Sequence, residues 1–501
     1  MQSKVGQYLA IDLGAESGRA ILGSLDGKRL ALNEIHRFSN GPIKVPHKSD
    51  ISMHWDVLRL WTEIKNGISL AKKSGQISSI GLDTWGVDFA LLDHNGVLLG
   101  NPYHYRDSRT DNMLEQAFKR LPREEIFEQT GIQFMQINTL YQLLSMVVNE
   151  VEALRCAKTF LTMPDLFNYW LTGQKSCEFS IATTTQCFDP RKGTWAYPLL
   201  EKMGIPTSIF PNIVAPGSIL GPLHPALAEE LGLSGVNIIA PACHDTGSAV
   251  AAVPADSEDY VWISSGTWSI MGIVAPDPII TADSLACNFT NEGGAIAQGQ
   301  KNTYRYSKNT MGLWLVQECR RTWRTQGNDY SYATLTEMAS QAESLTALVN
   351  PDHNDFLKPG DMPSRIQAFC KRTAQKVPRT PGEIVRCALE STALNYRLVL
   401  NRLEASVGKR FETIHIIGGG TQNRLLNQLA ADATGRKVIT GPIEATAIGN
   451  ILLQALAQKD ISSVEELRSI VKNSFETHEY QPRPSTQWET AYKAFTQLVS
   501  G

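Results

Sequence analysis

Two aspartates stand where apolar runs give way to small residues, an arrangement suited to handling phosphate. In AIDLGAESGR, Asp12 ends the run Tyr8-Leu9-Ala10-Ile11 and precedes a turn with Gly14, Gly18 and a closing Arg19. In VNIIAPACHDTGSAV, Asp245 follows a second apolar run and leads into Thr246, Gly247 and Ser248. In a nucleotide site, carboxylates so placed have two uses: one binds hydrated Mg2+, and one takes the proton of an attacking hydroxyl. Taken singly, each is more simply the cap of a turn or helix. Two further small-residue turns, Ser264 to Thr267 and Gly418-Gly419-Gly420, shift the balance toward phosphoryl transfer, because such turns offer backbone N–H groups to phosphate oxygens. The chain has neither G-x-G-x-x-G nor a phosphate loop ending in Gly-Lys-Ser/Thr, and the absence of a G-x-S-x-G elbow disfavours a serine hydrolase.

A second group of residues suits a sugar. In DTWGVDF, Asp83, Trp85 and Asp88 surround Gly86 within an expected strand; a glycine there marks close approach of a ligand, and the indole can stack on a sugar's apolar face. A bulge with a core tryptophan is the equal alternative. NPYHYRDSRT adds Tyr103, Tyr105, Arg106, Asp107 and Arg109, either a polar-aromatic sugar cluster or a salt-bridged loop. His244, next to a candidate base, is a structural histidine or a contact to a substrate hydroxyl. Asn309, in KNTMGLWLVQ, reads as the cap of the following helix, and Gln317 as a surface residue on it.

The elements that position these groups read as strands and helices in alternation. YLAIDL, RAILGSL and LALNEIHRF form an antiparallel meander, and apolar residues at helical spacing follow from Trp55 to Lys73. ISSIGLDTWGVDFALLDHNGVLLG returns to strands with a hairpin signal at Asn95-Gly96, and further helices, including LYQLLSMVVNEVEAL, run to about residue 175. YVWISSGTWSIMGIVAP repeats the opening strand, turn and strand, which points to a duplicated domain. Thr380-Pro381-Gly382-Glu383 is a capping box opening a long helix, and FETIHIIGGGTQNRLLNQLAADATG is a buried strand, a glycine turn and a helix. A last helix is expected from Trp488 to Leu498.

With 501 residues the chain exceeds one hydrophobic core, and two domains with a cleft between them follow. An apolar fraction of 42%, a charged fraction of 19% and a net charge of -3 describe an ordinary globular protein and remove the electrostatic argument for nucleic acid or an anionic membrane. Eight cysteines without a C-x-x-C pair suit reduced thiols, so neither zinc nor a disulfide framework is expected. No signal peptide or membrane span is legible, so a cytoplasmic protein is expected.

Taken together, AIDLGAESGR, IGLDTWGVDFALLD, YRDSRT, TGIQFMQINTLYQL, ATTTQ, HDTGSAV, SSGTWSIMG, NFTNEGG, KNTMGLWLVQ, GGGTQNRLLNQLAADATG and GPIEATAIGN resemble, in this order from about residue 8 to 460, the FGGY carbohydrate kinases. DTWGVD, HDT and NTMGLW are similar to the members that act on L-rhamnulose. The resemblance implies an α/β fold of two ribonuclease-H-like (actin/sugar-kinase) domains with the active site in the cleft. Residues 1–250 would carry the sugar and the first phosphate turn, and residues 251–501 the ATP and a helical tail. It implies transfer of a phosphoryl group from ATP, with Mg2+, to O1 of L-rhamnulose in L-rhamnose breakdown. By the same resemblance Asp245 is the general base and Asp12 holds Mg2+ through water. Gly86, His244, Asp245, Thr246 and Asn309 contact the sugar; Ala15, Glu16, Ser17, Gly18, Arg19, Thr267, Gln317 and Gly419 contact ATP.

Two departures from the wider family stand out: Ala15 and Glu16 replace threonines of the first turn, and Cys243-His244 replaces a glycine-rich approach to the base. Glu16 is expected to face away from the phosphates, since a further negative charge there would repel them. A kinase for another ketose such as L-fuculose, or a non-catalytic actin-like ATP-binding protein, are the competing readings.

Overall fold

The run Gly6–Leu13 is buried along its apolar length because it becomes the centre of a six-stranded mixed sheet. The computed structural model describes residues 6–47, 50–295, 302–483 and 485–500. Gly6–Leu13 pairs antiparallel with Ser17–Leu25, which pairs antiparallel with Leu30–Ser39, completing the expected meander. On its other side Gly6–Leu13 pairs parallel with Ser79–Thr84; Asn237–Ala240 is parallel to that strand, and Ser218–Pro222 closes the sheet antiparallel.

Helices cover both faces of this sheet. Gly67, in the helix Val57–Lys73, lies so close to Ala20 that an added Cβ would meet its methyl at 2.7 Å. Ile451, in the helix Ala445–Ala457, lies equally close to Gly23. Positions 20 and 23 have opposite parity along one strand, so the two helices take opposite faces. Alternation also explains Ser79–Thr84: Ile80 and Leu82 enter the apolar cluster with Ile11 and Ile64, whereas Ser79, Gly81 and Asp83 turn toward Asn450 and Gln454.

A second sheet repeats the plan. Trp268–Ala275 is antiparallel to Val261–Ser265, Thr413–Ile417 and Lys437–Thr440 follow in parallel, and His478–Tyr480 closes antiparallel. Over these five of its seven strands the directions match those of five consecutive strands of the first sheet, as the repeated strand, turn and strand led one to expect. The capping box at Thr380 forms and opens the helix Pro381–Val407.

Compactness divides the chain into one unit of Met1–Pro254, Val274–Tyr306 and Ala445–Ser474, and another of Ala255–Ile273, Ser307–Glu444 and Phe475–Gly501. The chain first passes from one unit to the other after Pro254, and two later segments return to the first unit. The helix Ala445–Ala457 does so because its buried Asn450 and Gln454 hydrogen-bond to Asp83, Ser79 and Leu9 of the first sheet.

Three local expectations are corrected. Gly86 is not within a strand: the strand ends at Thr84 and resumes at Phe89, and Val87 between them has φ of 67°. LYQLLSMVVNEVEAL is two helices, Thr139–Val148 and Glu152–Cys156, interrupted at Glu150 with φ of 50°. Asn309 lies inside the strand Tyr304–Met311 and caps no helix. Among the described residues no helix is long and apolar enough to cross a membrane.

Candidate active site

Parallel strands end on one edge of their sheet, and in the first unit two of them carry an acid next to their last residue while a third, Asn237–Ala240, leads to Asp245. Asp12 and Asp83 are register partners on neighbouring strands, and Thr84 bridges to His244, which brings Asp245 to the same edge. Asp12 is buried and ion-paired with Arg19, its partner across the hairpin. Asp83 is completely buried; its Oδ2 accepts a 2.6 Å bond from Asn450 Nδ2, while its Oδ1 has no partner among the described residues. Burial, and then the charge of Asp12, push the Asp83 carboxyl well above its usual range against the pull of Asn450. Asn450 is held in turn, because Gln454 Nε2 donates to its Oδ1 at 2.7 Å and Ser79 Oγ donates to Gln454 Oε1 at 2.7 Å.

The turn after Asp12 is closed by Gly14 N–H on Ser17 O at 3.0 Å and braced by Asn40, which donates from Nδ2 to Gly14 O and from its N–H to Glu16 O. Ala15 and Ser17 are half-buried, Gly18 is buried and Glu16 is exposed.

Asp245 opens the short helix Asp245–Ala251. Its side chain is 30% exposed, and only Oδ1 is tied down among the described residues, by Thr246 N–H at 2.5 Å, Thr246 Oγ1 at 3.1 Å and His244 Nε2 at 3.2 Å. The backbone beneath is held by a side-chain scaffold. Glu178, fully buried, accepts Cys243 N–H at 2.9 Å, and Ser180 Oγ accepts His244 N–H at 3.1 Å. Burial raises the Glu178 carboxyl to about 7 despite its hydrogen bonds.

The loop carrying Gly86 is anchored by Asp88. Trp55 Nε1, Trp85 Nε1 and Tyr105 N–H all donate to its Oδ2, and Gln142 Nε2 donates to Oδ1 at 2.9 Å. Burial raises Asp88 to about 6, with these donors opposing. Trp85 stacks on Trp55 at 3.9 Å between ring centroids, so its indole belongs to the core, and the sugar-stacking reading gives way to the packing one. Val87 N–H donates to Thr184 Oγ1 at 3.2 Å, which fixes the loop around Gly86. Arg109 lies over Tyr103 at 4.0 Å and donates to Gln142 at 2.7 Å.

The second unit holds the other predicted residues. Gly266 and Thr267 form the hairpin turn, while Ser264 and Ser265 are strand residues. Thr267 O accepts from Gly312 N–H at 3.1 Å and Gly266 O from Leu313 N–H at 2.9 Å, so the turn is fastened to the start of the helix Trp314–Thr325. An added Cβ on Gly312 would meet Gly266 O at 2.7 Å; a side chain there would push the turn away. Gln317 lies in the first turns of that helix, and its Oε1 is buried without a partner among the described residues. Gly418 has φ of 85° and Gly420 packs against the Ser265 side chain, whereas Gly419 is exposed with open space where a Cβ would stand. The turn continues as Gly419–Gln422 before Asn423 caps the helix Arg424–Thr434.

Among the described residues no group of three or more His, Cys, Asp or Glu side chains is placed to hold a metal ion. The first unit nevertheless suits a hydrated cation. Asp83 Oδ1 is a buried oxygen without a donor among the described residues, and the charges of Asp12 and Asp245 act on Asp83 against the opposing charge of Arg19. Sequence reasoning missed the pairing of Asp83 with Asp12 and the roles of Asn450, Gln454 and Glu178; only the register of Asp83 at a strand end could have signalled the first.

A model of the FGGY family of carbohydrate kinases, N-terminal domain, matches residues 7–252, and one of its C-terminal domain matches residues 261–458. The chain is 42% identical over 475 residues to a protein of Oceanobacillus iheyensis named rhamnulokinase, covering 94% of this chain and 97% of that one. It is 42% identical over 493 residues to the rhamnulokinase of Bacteroides thetaiotaomicron, covering 98% and 99% of the two chains. Among solved structures it is similar to a ligand-bound xylulose kinase of Lactobacillus acidophilus, with a TM-score of 0.80, 17% identity and coverage of 99% and 97%. It is similar also to a glycerol kinase of Plasmodium falciparum with ADP, with a TM-score of 0.80, 15% identity and coverage of 99% and 98%. These two establish the two-domain α/β fold of sugar kinases.

Proposed function

The chain belongs to the FGGY family of carbohydrate kinases, and on that premise we propose that it transfers the γ-phosphoryl group of ATP to O1 of L-rhamnulose, giving ADP and L-rhamnulose 1-phosphate. The observation that carries this reading is the near full-length similarity to proteins named rhamnulokinase. Asp245 is the general base in this reading. Its Oδ1 is engaged by Thr246 and His244, and Oδ2, on a partly exposed side chain, accepts the proton of the O1 hydroxyl as that oxygen attacks phosphorus.

Gly86, His244, Asp245, Thr246 and Asn309 are assigned to the sugar. Ala15 to Arg19, Thr267, Gln317 and Gly419 are assigned to ATP, with Arg19 and the turn N–H groups stabilising phosphate charge. The unpartnered Gln317 Oε1 and the open face of Gly419 support a ligand there. Mg2+, when bound with ATP, supplies positive charge to the phosphates; Asp12, assisted by Asp83, holds it through water.

The test is ADP release with a panel of ketoses. L-rhamnulose is expected to be preferred, and preference for another ketose such as L-fuculose would replace it as substrate. Positioned base catalysis contributes about 100- to 10,000-fold, so Asp245→Asn is expected to lose at least ~100-fold in kcat with a nearly unchanged KM for ATP. Near-normal turnover would remove Asp245 from the role.

A further inference from the structure

Arg305 is a fully buried arginine that the sequence, TYRYSKNT, presents as an ordinary charged strand residue. Its guanidinium is fixed on two sides: Nε donates to Gly293 O at 2.8 Å, and Nη2 lies 3.3 Å from Glu292 Oε2. The same Nη2 lies 2.9 Å from Nδ1 of His244. Nδ1 also lies 3.3 Å from Glu292 Oε2, so two pairings compete for this nitrogen. A guanidinium carries only donors and does not lose its proton in a protein, so a hydrogen on Nδ1 would face the N–H of Arg305 at the shorter contact. Nδ1 is therefore assigned as the acceptor, which puts the hydrogen on Nε2, and Glu292 balances the charge of Arg305. That hydrogen points at Asp245 Oδ1, 3.2 Å away.

We propose that Arg305 is a positioning residue for Asp245, acting through the imidazole of His244. The proposal rests on the reading of Asp245 as the base. By fixing one tautomer, Arg305 commits Nε2–H to Oδ1 and leaves Oδ2 oriented for the sugar hydroxyl. With the imidazole held at one nitrogen and donating from the other, the part of His244 in the site is to hold Asp245. A wrong tautomer would set a bare Nε2 against a carboxylate oxygen, two acceptors facing each other, and turn the carboxylate away.

Two measurements test this. Imidazole 15N shifts of the intact protein, with the His244 signal identified by its loss in His244→Asn, are expected to show Nε2–H with a bare Nδ1; a hydrogen on Nδ1 would overturn the proposal without any variant at Arg305. Arg305→Lys keeps the charge opposite Glu292 but loses the planar fork, and is expected to lower kcat by about tenfold to a hundredfold, with KM for ATP within about twofold, as for residues that orient a reacting group. In the Asp245→Asn background the same change is expected to cost less than about twofold, because the group it orients is gone. An Arg305→Lys enzyme with unaltered kcat, or one that loses as much in the Asp245→Asn background as alone, would overturn the proposal. If Asp245→Asn itself kept its turnover, the base reading would fail instead, and the tautomer would still decide whether Arg305 sets the state of His244.

Discussion

Glu178→Gln tests whether the scaffold beneath Asp245 rests on a carboxyl that burial has made hard to ionise. Glu178 accepts Ser180 N–H at 2.8 Å on Oε1, and Ser180 Oγ at 2.6 Å, Ile181 N–H at 3.2 Å and Cys243 N–H at 2.9 Å on Oε2. Burial is the largest influence on it and raises its pKa from 4.5 to about 7. A carboxyl raised in the folded state contributes stability that is fully present below its unfolded value and is lost as pH climbs through the folded one. Between pH 4.5 and 7, at about 1.4 kcal/mol per pH unit, the wild-type chain therefore loses roughly 3 kcal/mol that a glutamine chain does not lose. At pH 5 less than about 1 kcal/mol of this has been lost, so the comparison turns chiefly on hydrogen bonding. The protonated carboxyl can give its O–H on Oε2 to the Ser180 hydroxyl, which rotates to accept it, whereas a glutamine whose oxygen serves the Ile181 and Cys243 N–H groups sets its amide N–H against the Ser180 N–H, and a buried donor without an acceptor costs about 1–3 kcal/mol.

Glu178→Gln is thus expected to be less stable than wild type at pH 5 and close to it at pH 8. Urea unfolding of both proteins at the two pH values measures this; Asp165, also raised to about 7 by burial and itself one of the charges that raise Glu178, is present in both chains, so the readout is the difference between them. A stability gap equal at the two pH values, or wider at pH 8, would refute the reasoning, because it would mean that the four donors keep Glu178 ionised throughout.

In Gly449→Ala the new methyl would overlap the Ser248 carbonyl, whose carbon lies 2.6 Å from the Cβ position, so the helices Ala445–Ala457 and Asp245–Ala251 must part. Overpacking of this kind costs about 1–3 kcal/mol, so a lower Tm in calorimetry is expected together with a reduced kcat, since the second helix carries Asp245; wild-type values of both would contradict it. Glu16→Gln removes an exposed charge whose backbone carbonyl, not its side chain, is bonded by Asn40. Its KM for ATP in the ADP-release assay is expected to stay within about twofold of wild type, and a marked change would turn Glu16 toward the nucleotide.

The parts of the fold that rest on local pattern were legible. Period-two apolar runs bounded by Gly or Asp-Gly identify both strand, turn and strand units, and Thr380 to Glu383 announces its helix by capping chemistry. The exits of Asp12 and Asp245 from apolar strands were legible for the same reason. The failures lie where backbone geometry departs from the pattern. FALL and SIGLDT read as one strand because the positive φ of Val87 leaves no mark on a valine, and KNTMGLW hides a strand that ends at Met311 and turns at Gly312.

By its residue types and spacing alone, the sequence determines two related strand and turn units, acids at strand exits and a chain suited to phosphoryl transfer, because these depend on neighbours a few residues apart. Only the tertiary structure decides how those acids are tuned. Asp83 meets Asn450 across 367 positions, Glu178 reaches the backbone of Cys243 across 65, and Arg305 reaches His244 across 61. Each contact is a buried polar pairing between elements brought together by packing. Burial gives such pairings their strength and shifts their proton affinities, and a linear sequence does not display burial between distant segments.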